Sequence, residues 1–213
     1  MREFTTPLAV VCHDAGATNI VLAWLRTDKP TDRRAVMQGP AAKLWAQSFD
    51  AEPTCGTIEE AIEGAALVLT GTGWASNLEH AARSLARQRG IRSIAVIDHW
   101  VNYRERFVRD GSTVWPDEFW VTDEYALAEA KRCFPDQAIR LQENLYLKGQ
   151  LRRIPPLNPS EPAELLYVLE PTRNSWGKAE PGEFQALDYF ARHFSSLRLP
   201  PDIRIRLRPH PSD

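Results

Sequence analysis

The sequence predicts an α/β fold, a doubly wound parallel sheet followed by a partial second βαβ unit. Three observations support this prediction. Short apolar runs alternate with amphipathic segments along the 213 residues, hydrophobic residues make up 43% of the chain, and charged residues make up 25%. Strands that alternate with helices are typical of a parallel sheet covered on both faces. The composition is that of a chain with enough apolar residues to bury a sizeable core.

The strands and helices can be assigned in order from the N-terminus. The first apolar run is Leu8–Cys12, and apolar residues at helical spacing follow it at 20–25. Further strands are predicted at 34–37, 66–70, 93–97 and Glu118–Val121. Further helices are predicted at 41–47 and 58–63, and after Asp123, which we expect to cap a helix that ends near Phe134. This order predicts a Rossmann-like domain.

The clearest helix places five apolar side chains on one face: Leu78, Ala81, Ala82, Leu85 and Ala86. Ser76 and Glu79 have the spacing of a capping box before it. Gly90 stands where a glycine commonly ends a helix. The pattern therefore predicts both ends of this helix as well as its buried face.

The composition changes after the first 153 residues. We expect a Rossmann-like domain at 1–153, a proline-rich linker at 154–163, and an incomplete βαβ segment at 164–213 with strands at 165–170 and 203–207 and a helix at 183–194. Four prolines in the nine residues 154–162 favour a stiff linker. One βαβ unit shields its sheet poorly, so the segment either docks on the first domain or belongs to a domain that is cut short.

The charge, the hydropathy and the cysteine spacing argue against several classes of protein. A net charge of −2 argues against a general nucleic-acid binder. No apolar run reaches 18 residues, so no membrane span is expected, and the N-terminus does not read as a signal peptide. The three cysteines, Cys12, Cys55 and Cys133, are scattered. This spacing favours reduced thiols and a cytoplasmic protein over disulfides or a zinc site.

The first polar cluster follows the first strand. His13 and Asp14 together are suited to take a proton from a hydroxyl group. Gly16 allows a ligand to approach the backbone, and Asn19 lies close by on the next helix. The alternative is that Asp14 only caps this helix and His13 is a surface turn residue.

The second cluster, Gly71, Thr72, Gly73 and Trp74, joins a buried strand to the clearest helix. We expect it to bind substrate at the carboxyl end of that strand. The alternative is a tight turn in which Trp74 packs into the core. Ser76 is interpreted as a cap rather than a nucleophile.

The third cluster begins with Asp98 and His99, where an acid at a strand end is well placed as a base. Three aromatic side chains follow that could stack on a sugar or base ring: Trp100, Tyr103 and Phe107. Arg104 completes the predicted substrate-binding set. The alternative is that the aromatic residues pack the loop while Arg104 and Arg106 are solvated.

The fourth cluster lies at the C-terminal end of the chain. Strand alternation places Arg204, Arg206 and Arg208 on one face, where three like charges favour an anionic ligand. Arg208 and His210 are suited to hold a diphosphate. The alternative is a solvated edge strand.

We expect no metal ion and no cofactor. The His-Asp pairs are adjacent in sequence, so the two side chains of each pair point to opposite faces and do not chelate easily. A three-glycine dinucleotide fingerprint with an acid about 20 residues later is missing, which argues against an oxidoreductase or epimerase.

Five segments resemble bacterial glycosyltransferases of the GT-B fold. The similarity is to the capsule- and teichoic-acid-type group, which includes glycerophosphotransferases and sialyltransferases. The segments are His13-Asp14-Ala15-Gly16-Ala17, Gly71-Thr72-Gly73-Trp74, Ile97-Asp98-His99-Trp100, Pro116-Asp117-Glu118-Phe119-Trp120-Val121-Thr122-Asp123 and Arg208-Pro209-His210-Pro211. The resemblance implies that the first domain binds the acceptor and the second, here truncated, binds the donor.

The resemblance also implies roles for individual residues. Arg208 and His210 would contact the donor phosphates. The base would come from His13, Asp14, Asp98 or His99, and the sequence does not choose among them. The expected reaction transfers a sugar or polyol phosphate from a nucleotide-activated donor to a hydroxyl acceptor in surface polysaccharide synthesis. The alternative is a non-catalytic binding or assembly subunit that pairs with a copy of itself or with a separate donor-binding chain.

Overall fold

The computed structural model describes residues 4–50, 52–156, 164–169 and 179–209. The chain divides into two units, Met1–Ile154 and Pro155–Asp213. Most of the proline-rich stretch, 157–163, lies outside the described residues.

A six-stranded parallel sheet organises the first unit. The strands of this unit are β1 Leu8–Cys12, β2 Arg33–Met37, β3 Leu67–Thr70, β4 Arg92–Val96, the short β5 Val108–Arg109 and β6 Ser112–Thr113, β7 Glu118–Val121 and β8 Ala138–Leu141. The sheet has the order β2-β1-β3-β4-β7-β8. The strand order reverses between β1 and β3. The predicted doubly wound α/β class is confirmed, and in such sheets ligands bind where the order reverses.

Helices cover both faces of this sheet: α1 Ala15–Asp28, α2 Pro40–Ser48, α3 Ile58–Ile62, α4 Leu78–Gln88, α5 Glu124–Cys133 and α6 Leu145–Leu151. Alternation along β1 explains the two layers, because successive side chains of a strand point to opposite faces. Val10 packs in one core cluster with Trp24 of α1, whereas Val11 packs in another with Ala82 of α4.

Helix α4 differs from its prediction at the N-terminal end. The Ser76 hydroxyl accepts a hydrogen bond from the Leu78 backbone N–H (3.1 Å), but the Glu79 carboxylate does not complete a capping box. Glu79 is buried instead, and so is Arg83 one turn later. The helix therefore carries two charged side chains on its buried face. The C-terminal prediction is confirmed, since Gly90 has φ +66° and the Ile91 N–H reaches back to the Ala86 carbonyl.

Gly90 provides a stability test with a matched control. Gly90→Ala is expected to lower the unfolding free energy by about 1 kcal/mol, because an L side chain is strained at positive φ even though open space surrounds the site. Gly149→Ala, inside α6 and also in open space, is expected to raise it by about 0.5–1 kcal/mol. Urea unfolding of both variants measures this. Equal effects of the two substitutions would contradict the assignment.

The second unit contains a βαβ element, as predicted. Strand β9 Glu164–Val168 pairs in parallel with β10 Arg204–Arg208, and helix α7 Gly182–His193 lies between them in sequence. Tyr167 packs on Phe190 of α7, with ring centroids 4.4 Å apart. Every residue of β10 is exposed.

None of the helices in the described ranges is both long enough and apolar enough to cross a membrane.

Candidate functional site

A histidine and an aspartate form a hydrogen-bonded pair where β1 ends, next to the reversal in strand order. His13 Nδ1 lies 2.6 Å from Asp14 Oδ1, and the two side chains are 16% and 30% exposed. The second Asp14 oxygen accepts a hydrogen bond from the Trp74 backbone N–H (3.0 Å). Asp14 precedes α1, but its side chain makes no capping hydrogen bond to that helix. The carboxylate therefore serves the pair and the Trp74 loop.

The pairing with Asp14 fixes the chemistry of the His13 ring. Nδ1–H donates to the carboxylate, which leaves Nε2 with a lone pair that can accept a proton. No atom of the described residues hydrogen-bonds to Nε2. The ring lies against Gly39, which has φ +54°, and a Cβ at that position would come within 2.6 Å of Nε2. Gly39 thus makes room for the ring in a backbone conformation that suits glycine.

The Glu79 side chain links the carboxyl ends of β1 and β3. Its carboxylate accepts hydrogen bonds from the His13 N–H (3.1 Å) and the Gly73 N–H (2.6 Å). Burial raises the pKa of the Glu79 carboxyl, against the two backbone hydrogen bonds and the positive charge of Arg83, which lower it. The Glu79 carboxylate therefore links the His13–Asp14 pair to the Gly71–Trp74 segment.

The raised pKa of Glu79 predicts the direction of a pH dependence. A group with a higher pKa in the folded than in the unfolded chain contributes stability below its unfolded pKa and loses it as the pH rises. The stability of the native protein relative to Glu79→Gln is therefore expected to fall as the pH rises above about 4.5. Urea midpoints of both proteins between about pH 4.5 and 8 measure this. A relative stability that rises over that range would contradict the direction.

Arg83 supports the same loop from inside the protein. Its Nη1 donates hydrogen bonds to the Thr70 hydroxyl and the Gly71 carbonyl, both at 3.1 Å, and its guanidinium lies 4.9 Å from the centre of the Phe107 ring. Burial lowers the pKa of Arg83 to about 10, and the negative charge of Glu79 opposes that shift. At neutral pH the side chain is a buried cation that depends on these partners.

Asp98 and Arg106 extend the site to the end of β4. Arg106 Nη1 lies 3.5 Å from Asp98 Oδ1 and donates to the Thr72 carbonyl at 3.1 Å. The other Asp98 oxygen lies so close to Gly16 that a Cβ there would collide with it. Contacts therefore run from Asp98 to the start of α1 on one side and to the Thr72 loop on the other.

Trp74 is exposed at this edge, with 48% of its surface accessible. The guanidinium carbons of Arg106 and Arg109 lie 5.7 Å and 5.8 Å from the centre of its ring. Arg109 also donates a hydrogen bond to the Gly73 carbonyl (2.7 Å). Trp74 therefore does not pack in the core, as the alternative interpretation of this cluster had it.

The structure brings most of the predicted residues of the first unit to one edge of the sheet: His13, Asp14, Gly16, Gly71, Thr72, Gly73, Trp74 and Asp98. His99 follows Asp98 and is exposed, and its Nδ1 faces the Trp100 N–H at 3.1 Å. The Trp100 indole donates to Asp123 rather than packing in the loop. Asn19 is half-buried on α1.

Two predicted substrate-binding residues lie elsewhere. Tyr103 is buried in a core cluster, its ring stacks on Phe134, and its hydroxyl faces the Ala126 carbonyl. Arg104 is exposed beside Trp115 and residues 133–137, toward the amino ends of the strands. The segment after Asp98 runs back along the sheet, and this carries both side chains away from the carboxyl edge. Tyr103 is therefore a core residue and Arg104 a surface residue.

The predicted phosphate-binding residues belong to the second unit. Arg208 is exposed at the end of β10, on the same strand face as Arg204 and Arg206. Arg206 pairs with Glu164 of the neighbouring strand, with 2.8 Å between Nη2 and Oε2. His210 lies outside the described residues.

Sequence reasoning missed four charged residues that build the site: Glu79, Arg83, Arg106 and Arg109. A signal existed for the first two, because an acid and a base four residues apart on one helix can interact, and the structure places both on the buried face of α4. A signal also existed for Arg109. Asp110-Gly111 is a typical two-residue hairpin turn, and both residues have positive φ between β5 and β6. The sequence around Arg106 carries no comparable signal.

The site belongs to a Rossmann-like α/β protein with a His–Asp pair at its strand-order reversal. In the described part of the chain, no three His, Cys, Asp or Glu side chains are grouped so that they could hold a metal ion. No family model matches the chain, and no curated protein matches it significantly.

Proposed function

We propose that this protein transfers a sugar or polyol phosphate from a nucleotide-activated donor to a hydroxyl acceptor in surface polysaccharide synthesis. The first unit binds and activates the acceptor. The observation that carries the proposal is the His13–Asp14 pair at the strand-order reversal, in which His13 Nε2 has no hydrogen-bond partner among the described residues. A nucleophilic hydroxyl needs such a base, since its own proton must leave as the new bond forms.

His13 is the favoured base among the four candidates. Asp14 orients the ring and stabilises the imidazolium that forms when Nε2 takes the proton. Asp98 faces the buried Arg106 at the end of β4, where its carboxylate is suited to hold an acceptor hydroxyl in place. His99 has its Nδ1 occupied by a backbone N–H and makes no ion pair with a described carboxylate.

The proposed transfer forms one bond and breaks one, and no atom changes its oxidation state. The acceptor oxygen forms a bond to the anomeric carbon of the donor sugar or to the phosphorus of the donor polyol phosphate. The bond from that atom to the leaving nucleotide breaks, and the nucleotide keeps the electron pair. The acceptor proton moves to His13 Nε2. We assign Arg208 and His210 to the donor phosphates on the strength of the Arg208-Pro209-His210-Pro211 motif.

The test is acceptor-dependent release of nucleotide. The purified full chain is incubated with CDP-, CMP- and UDP-activated donors and hydroxyl-bearing sugars, and the free nucleotide is measured by mass spectrometry. We expect one donor class to release nucleotide faster when an acceptor is present. If no donor class releases nucleotide faster when an acceptor is present, the proposal is contradicted.

A second candidate is a non-catalytic assembly subunit. Its support is apolar side chains on the second unit that are about half-exposed, Leu166 and Val168 on one face of the two-stranded sheet and Ile205 and Leu207 on the other. Exposed apolar surface of this kind is typical of an interface with another chain. Light scattering tests it together with the release assay. A monomer that turns over alone would contradict this candidate.

A further inference from the structure

We infer that Trp74 and Arg109 form a subsite for a negatively charged sugar ring, so that the acceptor is an anionic sugar. The assignment of this ring to the acceptor rests on the proposed function. The presence of the subsite itself rests only on the geometry around Trp74.

Side-chain hydrogen bonds hold the backbone of the loop that carries Trp74. The Thr72 carbonyl accepts from Arg106 at 3.1 Å, and the Gly73 N–H donates to Glu79 at 2.6 Å. The Gly73 carbonyl accepts from Arg109 at 2.7 Å, and the Trp74 N–H donates to Asp14 at 3.0 Å. The indole is therefore presented on a fixed backbone rather than on a mobile turn.

A fixed and half-exposed indole is a stacking surface. Exposing a large apolar ring to water is unfavourable, and the framework that holds Trp74 there uses four charged side chains to do so. The face of a sugar ring presents C–H groups that pack well on an indole. The position of Trp74 at the carboxyl edge matches where ligands bind in sheets of this type.

The charges around the indole favour an anion. Arg109 makes no salt bridge with a described carboxylate, and it donates hydrogen bonds to the backbone carbonyls of Val108 and Gly73. The two acids that hydrogen-bond to the Trp74 loop are already engaged, because Asp14 is bound to His13 and Glu79 to two backbone N–H groups. Arg106 is only 4% exposed and positions the loop. The partly exposed Arg109 is the cation left for a ligand.

The location identifies which substrate would carry this anion. Asp14 holds the His13 ring with one oxygen and the Trp74 backbone with the other. The base and the Trp74 loop are therefore linked through one carboxylate, and on the proposed function we assign the ring on Trp74 to the acceptor, whose hydroxyl must reach that base. A nucleotide also combines a ring with an anion, so the experiment includes both sources.

Binding is measured by isothermal titration calorimetry with the full chain. The probes are glucuronate and glucose 6-phosphate as anionic sugars, glucose as the neutral match, and CMP and UMP as nucleotides. We expect the anionic sugars to bind at least about tenfold more tightly than glucose. Arg109→Gln removes that preference, Arg109→Lys keeps most of it, and Trp74→Ala weakens all sugars. Arg132→Gln and Tyr125→Ala, both on exposed sites of α5, leave binding unchanged.

Three outcomes would overturn the inference. The first is equal affinity for glucose and glucuronate. The second is a preference for the anionic sugars that survives Arg109→Gln. The third is binding of the nucleotides alone, with loss in Trp74→Ala, which would give the subsite to the donor. Anionic sugars that bind as expected but never support nucleotide release would contradict the proposed function and not the subsite.

Discussion

Replacing His13 with glutamine is expected to lower kcat for nucleotide release by about 10²- to 10⁴-fold, the usual contribution of a general base. Glutamine keeps a polar side chain of similar reach but has no nitrogen that can accept the acceptor proton. Stability should change little, since the His13 ring is partly exposed and its partner Asp14 is also bound to Trp74. Steady-state kinetics at saturating donor measures the effect.

The control for this variant is His193→Gln, a histidine exposed on α7 in the second unit. We expect its kcat to stay within about twofold of the native value, as for most surface substitutions. If His13→Gln also retained kcat within about threefold, His13 would not be the base, and Asp98 would take its place.

Replacing Glu79 with alanine is expected to lower the free energy of unfolding by about 3–5 kcal/mol, the usual cost of removing one partner from a buried charged network. Two backbone N–H groups, those of His13 and Gly73, lose their acceptor. The buried Arg83 loses the negative charge that opposes its desolvation. Urea unfolding at pH 7 measures the loss.

Glu124→Ala is the matched control for Glu79, because Glu124 occupies the first turn of α5 and is exposed. Its substitution should change stability by less than about 0.5 kcal/mol. A loss below about 1 kcal/mol in Glu79→Ala would mean that the carboxylate does not hold the two strand ends together.

The strands that line the site could be predicted because they are buried on both faces. The runs Leu8–Cys12 and 66–70 read as continuous apolar segments. Strand β8 escaped prediction for the opposite reason. It lies at the sheet edge and is mostly exposed, so Ala138–Leu141 shows no apolar run.

The candidate site was only half predictable. Residues that follow a strand directly, such as His13 and Asp98, are placed at the carboxyl edge by the strand itself. Arg106 and Arg109 reach the same edge from a loop that first runs away from it, and Glu79 reaches it from a helix. Those arrangements depend on tertiary packing, and local spacing does not encode them.

In the proposed mechanism His13 and Asp14 act as one acid–base unit at the strand-order reversal. A double-mutant cycle with His13→Gln, Asp14→Asn and the double variant measures their coupling, with kcat of nucleotide release as the readout. Residues that act as a unit are strongly non-additive, so the double variant should be no more than about threefold slower than the slower single variant. Effects that multiply in the double variant would contradict the claim.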